Sequence, residues 1–283
     1  MKRRKLGAAG TVYLVIFLIL LYAPIAVLIL FSFNASNSTS VFGGFSTRWY
    51  GELFRDEATM AAFKNTLVLA VLSAVISTVL GTAAAVGFHY TRRKHYKRAM
   101  MTVTNIPMMN PDIVTGISMM LLFVFVGTLF SMRGVLGFGT MLIAHITFEL
   151  PYVILNIMPR LSELDPYLLE AAEDLGCTQS QAFFKVTLPQ IRSSILAGAI
   201  MAFTLSLDDF VISYFVSGPE FQTLPIRIYS MTKKRVTPDM YALSTIIFFT
   251  MLVLLIVMNV LQSDAHAARR EARKNRRAER RGA

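Results

Sequence analysis

Six apolar runs divide this chain, each of about twenty residues and so long enough to cross a bilayer as a helix. They fall at about 12–33, 66–88, 101–126, 138–158, 193–216 and 241–261. Inside hydrocarbon, backbone N–H and C=O groups find no water, so a run of this length is confined to a helix that satisfies its own bonds. The predicted architecture is an all-α integral membrane bundle of six transmembrane helices. Neither an internal repeat nor a Ser/Pro-rich linker divides it, so it reads as one domain. With 54% of its 283 residues hydrophobic and only 16% charged, the chain is too apolar for an ordinary soluble domain of this size.

The basic residues orient the bundle. Lys2-Arg3-Arg4-Lys5 precede the first run, which is longer than the apolar core of a cleaved signal and predicts an uncleaved first span. With Arg92-Arg93-Lys94, Lys97-Arg98, the segment 159–192 and the tail from Arg269 to Arg281, 20 of the 28 basic residues fall on one face. The positive-inside rule makes that face cytoplasmic, with both termini on it. Arg227 and Lys233-Lys234-Arg235 fall on the outer side and weaken the bias locally. The net charge of +11 therefore reads as topology, and the basic tail at 266–283 as a juxtamembrane signal beside anionic lipid. Nucleic acid is not an expected partner, because no aromatic-interleaved basic patch exists. The single cysteine, Cys177, excludes an intrachain disulfide and a thiolate metal site.

Segment 159–192 is long for a connection within a helical bundle, which marks it as functional. Glu170-Ala171-Ala172-Glu173-Asp174-Leu175 predicts a short helix, started near Asp165-Pro166 and stopped by Gly176 in a left-handed conformation. Glu170, Glu173, Asp174 and Cys177 are expected on neighbouring turns of that helix, with Ala171 and Ala172 small enough for a partner to approach closely.

Glu170-Ala171-Ala172, Gly176 four positions later, and then Leu188-Pro189 resemble the EAA loop of ABC importer permeases, with Val186 where that pattern carries Ile. Further stretches narrow the resemblance to the spermidine/putrescine (polyamine) branch. They include Phe45-Ser46-Thr47-Arg48-Trp49-Tyr50, Pro111-Asp112-Ile113-Val114, His145-Ile146-Thr147-Phe148, Thr204-Leu205-Ser206-Leu207-Asp208-Asp209 and Phe215-Val216-Ser217-Gly218-Pro219. Glu149 departs from the branch pattern, and so does the basic cluster at 233–235. The resemblance implies the type I ABC importer permease fold. It also implies a transport subunit that pairs with a second, homologous permease, two cytoplasmic ATPase subunits and an extracytoplasmic substrate-binding protein. Glu170, Ala171, Ala172, Asp174, Gly176, Leu188 and Pro189 would form the ATPase coupling element.

The residues themselves set limits on chemistry. No Gly-x-x-x-x-Gly-Lys-Ser/Thr loop exists to cradle phosphates, so ATP and its Mg would be handled by the partner ATPase and no cofactor is expected on this chain. Catalytic and metal-ligating residues are not expected either.

Asp112, Glu149, Asp208 and Asp209 lie within the apolar runs, where each carboxylate costs on the order of 2.5 to 3.5 kcal/mol on insertion scales unless partnered. Counted along their helices, Asp112 and Glu149 fall near mid-bilayer and the Asp208-Asp209 pair toward the outer leaflet. Ser206, Asp209, Ser213 and Ser217 repeat at helical spacing, which predicts a polar stripe lining a cavity, with Asp209 facing the lumen. Asp208 points about 100° away, toward Thr204 and Phe215. Asp209, Asp208, Asp112, Glu149, Ser206 and Ser213 are thus the candidate pathway for a cationic substrate. The competing reading is structural, with acids that satisfy backbone groups freed where Pro107 and Pro111 interrupt the third helix. His145, one turn before Glu149, suggests a local His–Glu contact. Trp49 and Tyr50, with Phe42 and Phe45, suggest an interfacial aromatic anchor. Two alternatives stay open: an ABC permease for another small solute, and an ion-coupled secondary carrier using the same acids.

Overall fold

The computed structural model describes residues 8–37, 41–91, 93–165, 167–233, 238–253 and 256. The tail at 266–283, Lys234, Arg235 and Pro166 lie outside the described residues. The chain separates into two compact units, Met1–Ala61 with Ile228–Leu255, and Ala62–Arg227 with Ile256–Ala283.

In the first unit, α1 (Ala8–Ser32) is an apolar helix whose side chains are largely exposed. Two residues past its end, buried Asn34 organises the loop: the carboxamide nitrogen donates to the Val41 carbonyl at 2.8 Å, while Oδ1 accepts from the Gly43 and Ser36 amides at 2.8 and 3.1 Å. The short helix α2 (Arg48–Arg55) is tied to that corner. Its Trp49 indole N–H donates to the Asn34 carbonyl at 2.7 Å, and the Tyr50 hydroxyl bonds Ser32 at 2.7 Å. Trp49, expected to anchor at the interface, is therefore buried; Phe42 and Phe45 remain exposed.

The second unit is built on α3 (Glu57–Tyr90), α4 (Lys94–Met109), α5 (Asp112–Leu129), α6 (Phe138–Ser162), α7 (Leu168–Asp174), α8 (Gln179–Ala182), α9 (Leu188–Asp208), α10 (Val211–Val216) and the start of α11 (Leu224–Thr232). The central helix is α6. Val153 on α6 lies against Gly81 of α3 and Gly198 of α9, whose missing side chains let both helices approach it closely. Two apolar clusters result. One gathers Ala74, Ala85, Val153, Ile154, Ile157, Leu161, Ile191 and Ala202, and the other Leu69, Met141, Ala144, Phe148, Ile212 and Val216.

Five described helices are long and apolar enough to cross a membrane. The sixth expected span is represented by α12 (Pro238–Val253), a shorter apolar helix, and the rest of 241–261 is outside the described residues apart from Ile256. Two predicted spans are broken. The third, expected as one helix over 101–126, divides at Asn110-Pro111, both extended, with ψ of 138° and 135°. Proline supplies no N–H and pushes the preceding residue out of the helical region, so the helix stops and restarts at Asp112. Asp112 thus opens an apolar helix instead of sitting midway along one. The fifth span, expected over 193–216, breaks at Asp209, which has ψ of 119°.

Candidate functional site

The break at Asp209 is held by its own side chain. Asp209 Oδ1 and Oδ2 accept from the backbone amides of Ile212 and Ser213 at 3.2 and 2.7 Å, satisfying N–H groups that the interrupted helix leaves unpaired at the start of α10. A third group converges on it: His145 Nε2 stands 3.4 Å from Asp209 Oδ2 and 2.9 Å from Ser213 Oγ. The other imidazole nitrogen, Nδ1, is 2.6 Å from Ser206 Oγ, which in turn lies 3.1 Å from Ser73 Oγ. Ser73 donates to Glu149 Oε1 at 2.7 Å, and Ser77 to Glu149 Oε2 at 2.7 Å.

The result is one continuous polar row, Ser77–Glu149–Ser73–Ser206–His145–Asp209, joining α3, α6, α9 and the α9–α10 break. Glu149, Ser73, Ser77 and Ser213 are fully buried, and Asp209 retains 9% exposure. Along α3, α6 and α9 the row separates the two apolar clusters, which keeps water from competing for its hydrogen bonds.

This geometry corrects three expectations. Ser206, Asp209 and Ser213 do not form a stripe along one continuous helix facing an open cavity; they turn inward onto α6 because the helix breaks between them. Asp209, expected to face the lumen, is enclosed, whereas Asp208 is exposed, as is Asp112. His145 reaches Glu149 through Ser206 and Ser73, because its ring is turned toward α9 and α10. Ser73 and Ser77 escaped the sequence reading. Their signal was a pair of hydroxyls four residues apart on one face of an apolar helix.

The second candidate site is the coupling segment. Helix α7 ends in a Schellman turn: Gly176 has φ +85°, its N–H donates to the Glu173 carbonyl at 2.8 Å, and the Cys177 N–H donates to the Ala172 carbonyl at 3.0 Å. Cys177 consequently lies beyond the helix and not on the same turns as Glu170 and Asp174. Ala172 is buried, letting α7 pack on α8 and the residues after it, while Glu170, Ala171, Glu173, Asp174 and Gly176 are exposed. Leu175 is exposed at 87%. Thr178 caps α8 by accepting from the Gln181 N–H, and Gln181 returns a bond to the Thr178 N–H.

Phe183–Thr187 then form a π-helical turn before α9, a feature sequence spacing did not reveal. The Leu188 N–H reaches back five residues to the Phe183 carbonyl. This widening lies where Pro189, lacking an N–H, would otherwise press its ring on the Lys185 carbonyl. Leu188 packs against the apolar cluster around Val153 and Pro189 is exposed, so the segment is continuous with the bundle's core.

A bundle of long apolar helices, two of them broken, with a helical turn-rich segment between α6 and α9, is the permease fold of ABC importers. A crystal structure of a bacterial ABC transporter involved in the import of the acidic polysaccharide alginate matches with a TM-score of 0.70, 18% identity, and coverage of 88% of this chain and 92% of that one. Inward-facing methionine ABC transporter MetNI matches with a TM-score of 0.58 and 17% identity, covering 77% and 98%. The model of the binding-protein-dependent transport system inner membrane component family matches residues 77–265, and this chain belongs to that family. Its members are transport components whose ATPase is a separate subunit. Among curated relatives, the putrescine transport system permease protein PotI of Escherichia coli K12 is 43% identical over 227 residues, covering 80% of this chain and 81% of that protein. The spermidine/putrescine transport system permease protein PotC of the same strain is 39% identical over 244 residues, covering 86% and 90%. PotC of Haemophilus influenzae is 38% identical over 241 residues, covering 85% and 91%.

Proposed function

We propose that this chain is the permease subunit of an ATP-driven importer that carries spermidine or putrescine across the bacterial inner membrane. The observation that carries the reading is the identity of 43% and 39% to two permeases named for those cargoes, over most of both chains. In this reading a second homologous permease completes the pathway, two ATPase subunits dock on the inner face, a substrate-binding protein docks on the outer face, and both termini are cytoplasmic. The coupling element is α7 with Gly176, Leu188 and Pro189. Its exposed Glu170, Ala171, Asp174 and Leu175 form the docking surface, and the packed Ala172 and Leu188 transmit its displacement to α9. Asp208 and Asp112, the two exposed in-span carboxylates, serve the cation's path. Glu149, Asp209, Ser206 and Ser213 support that path from within.

Two outcomes are expected. Asp208→Asn removes one negative charge and no internal hydrogen bond needed by the polar row, so it is expected to lower polyamine uptake several-fold while the complex still assembles. Uptake at the wild-type level by a normally assembled variant would remove Asp208 from the path.

Gly176→Val forces a β-branched residue into a left-handed conformation, at a cost of roughly 1–2 kcal/mol, although the space around Gly176 is open. It is expected to disrupt the end of α7 and lower uptake together with cargo-stimulated ATP hydrolysis, whereas Gly176→Asn, which tolerates that conformation, retains both. Equal activity of the Val and Asn variants would sink the coupling role of this turn.

A further inference from the structure

We propose that the start of α4 is a binding surface for anionic phospholipid: Arg93, Lys94, Lys97 and Arg98 meet the phosphates, and the exposed face of α4 beyond them lies along an acyl chain. The charge at this corner is not compensated within the chain. The stretch 58–111 contains no Asp or Glu. The ion pairs among the described residues are Arg48–Glu52, His145–Asp209 and Arg160–Glu163, and none of them involves the cluster. Arg93, Lys94 and Arg98 are exposed and Lys97 is half-buried. Segment 159–192 differs: its Arg160 is paired with Glu163, and Asp165, Glu170, Glu173 and Asp174 accompany its other cations. Positive-inside topology accounts for the sign of the charge at 93–98, yet it leaves like charges facing each other one helical turn apart, Arg93 with Lys97 and Lys94 with Arg98. A layer of phosphates relieves that repulsion.

The side chains around the cluster suit the boundary between headgroups and hydrocarbon. Tyr90, at the end of α3, and Tyr96, in the first turn of α4, are 43% and 55% exposed. Tyrosine presents an apolar ring with a polar tip, which favours that boundary. The Tyr90 ring is held edge-on to His89, with centroids 4.9 Å apart. Beyond the cations, α4 has no buried residue, and Val103 and Ile106 are 61% and 56% exposed. Val103 follows Tyr96 by two helical turns and so shares its face. From Tyr96 to Ile106 the helix rises about 15 Å, which is half of a hydrocarbon layer about 30 Å thick. The apolar face is therefore as long as one leaflet is deep.

An anionic phospholipid matches both halves of this surface at once. Its phosphate meets the cations and its chain covers Val103 and Ile106. A zwitterionic lipid brings a cation of its own to the same phosphate, and an acidic protein surface would satisfy the charges while leaving the apolar face uncovered. Through α4 and the Asn110-Pro111 break, the lipid would hold the segment that leads directly into Asp112.

The test is photo-labelling of the intact importer in nanodiscs, with photoreactive phosphatidylglycerol compared with photoreactive phosphatidylcholine and the labelled peptides mapped by mass spectrometry. This readout does not depend on the cargo. Phosphatidylglycerol is expected to label segment 90–106 in preference to phosphatidylcholine. The preference should fade in the unmodified protein as salt shortens the Debye length from about 10 Å at 0.1 M to about 3 Å at 1 M. Lys97→Gln/Arg98→Gln should weaken it further, by about five-fold for each lost cation, whereas Lys94→Arg/Lys97→Arg, which keeps the charge, should retain it. Equal labelling by the two lipids, or a preference that salt leaves unchanged, would overturn the proposal. A loss in the Arg variant as large as in the Gln variant would also contradict it. So would labelling that appears only after the ATPase subunits are removed, because the cations would then belong to a protein contact.

Discussion

His145→Leu is expected to destabilise this permease more than any other single change within the polar row. The substitution takes the imidazole from beside Asp209, strips Ser206 and Ser213 of their imidazole partner, and cuts the row between its two acids. An average interhelical hydrogen bond in a membrane protein contributes only about 0.6 kcal/mol. The larger effect is the stranding of an enclosed carboxylate: leaving a buried charged group short of a hydrogen-bonding partner costs about 1–3 kcal/mol or more. The thermal transition of the detergent-solubilised complex should fall by on the order of 10 °C. Asp209→Asn introduced together with His145→Leu should restore part of that loss, because the stranded charge is then gone. A His145→Leu transition within about 2 °C of wild type would show that the ionic component is negligible.

Gly218→Ala is the second large effect, and its cause is steric. A Cβ at Gly218 would overlap the Leu136 carbonyl oxygen and stand 2.8 Å from the Leu136 carbonyl carbon and 3.2 Å from Gly137 Cα. All three are backbone atoms, fixed by the start of α6, where Thr140 Oγ1 donates to the Gly137 and Val216 carbonyls at 2.9 and 3.2 Å. Over-packing commonly costs about 1–3 kcal/mol when side chains can retreat; here none of the atoms can do so independently, so the upper end or beyond is expected. Gly139→Ala is the internal control. Nothing lies within 4 Å of its added Cβ, and replacing a helical glycine is worth up to about 1 kcal/mol in the favourable direction. The yield of folded protein and its unfolding temperature should therefore drop for Gly218→Ala and hold or rise for Gly139→Ala. The opposite order would mean that α10 and α6 are not joined as described.

The sequence was most informative where a residue dictates its own backbone. Gly176 is the left-handed stop its position implied, and the apolar runs at 66–88 and 138–158 lie within the long helices α3 and α6. It was least informative where side chains choose a partner from another helix. The polar stripe at 206, 209, 213 and 217 has helical spacing, and spacing alone favoured one unbroken helix over a cavity. The structure breaks that helix because the Asp209 carboxylate can bond the amides of the next turn, a local competition to which periodicity is blind. For the same reason the exposed acid of the pair is Asp208 and not Asp209. Pro111 was recognised as an interruption, yet apolar continuity from 101 to 126 concealed that it ends one helix and starts another. Ser73 and Ser77 looked like ordinary small residues until α6 brought Glu149 between them.

The central claim is ATP-driven import of a polyamine. Its most direct test is uptake of labelled spermidine and putrescine by cells that lack their own polyamine uptake and express this chain with its partner permease, binding protein and ATPase. Saturable accumulation of either cargo, abolished when the ATPase loses its phosphate-binding lysine and unaffected by a protonophore while ATP is maintained, is the predicted result. Failure of the assembled complex to accumulate either cargo, or uptake that a protonophore abolishes at constant ATP, would contradict it.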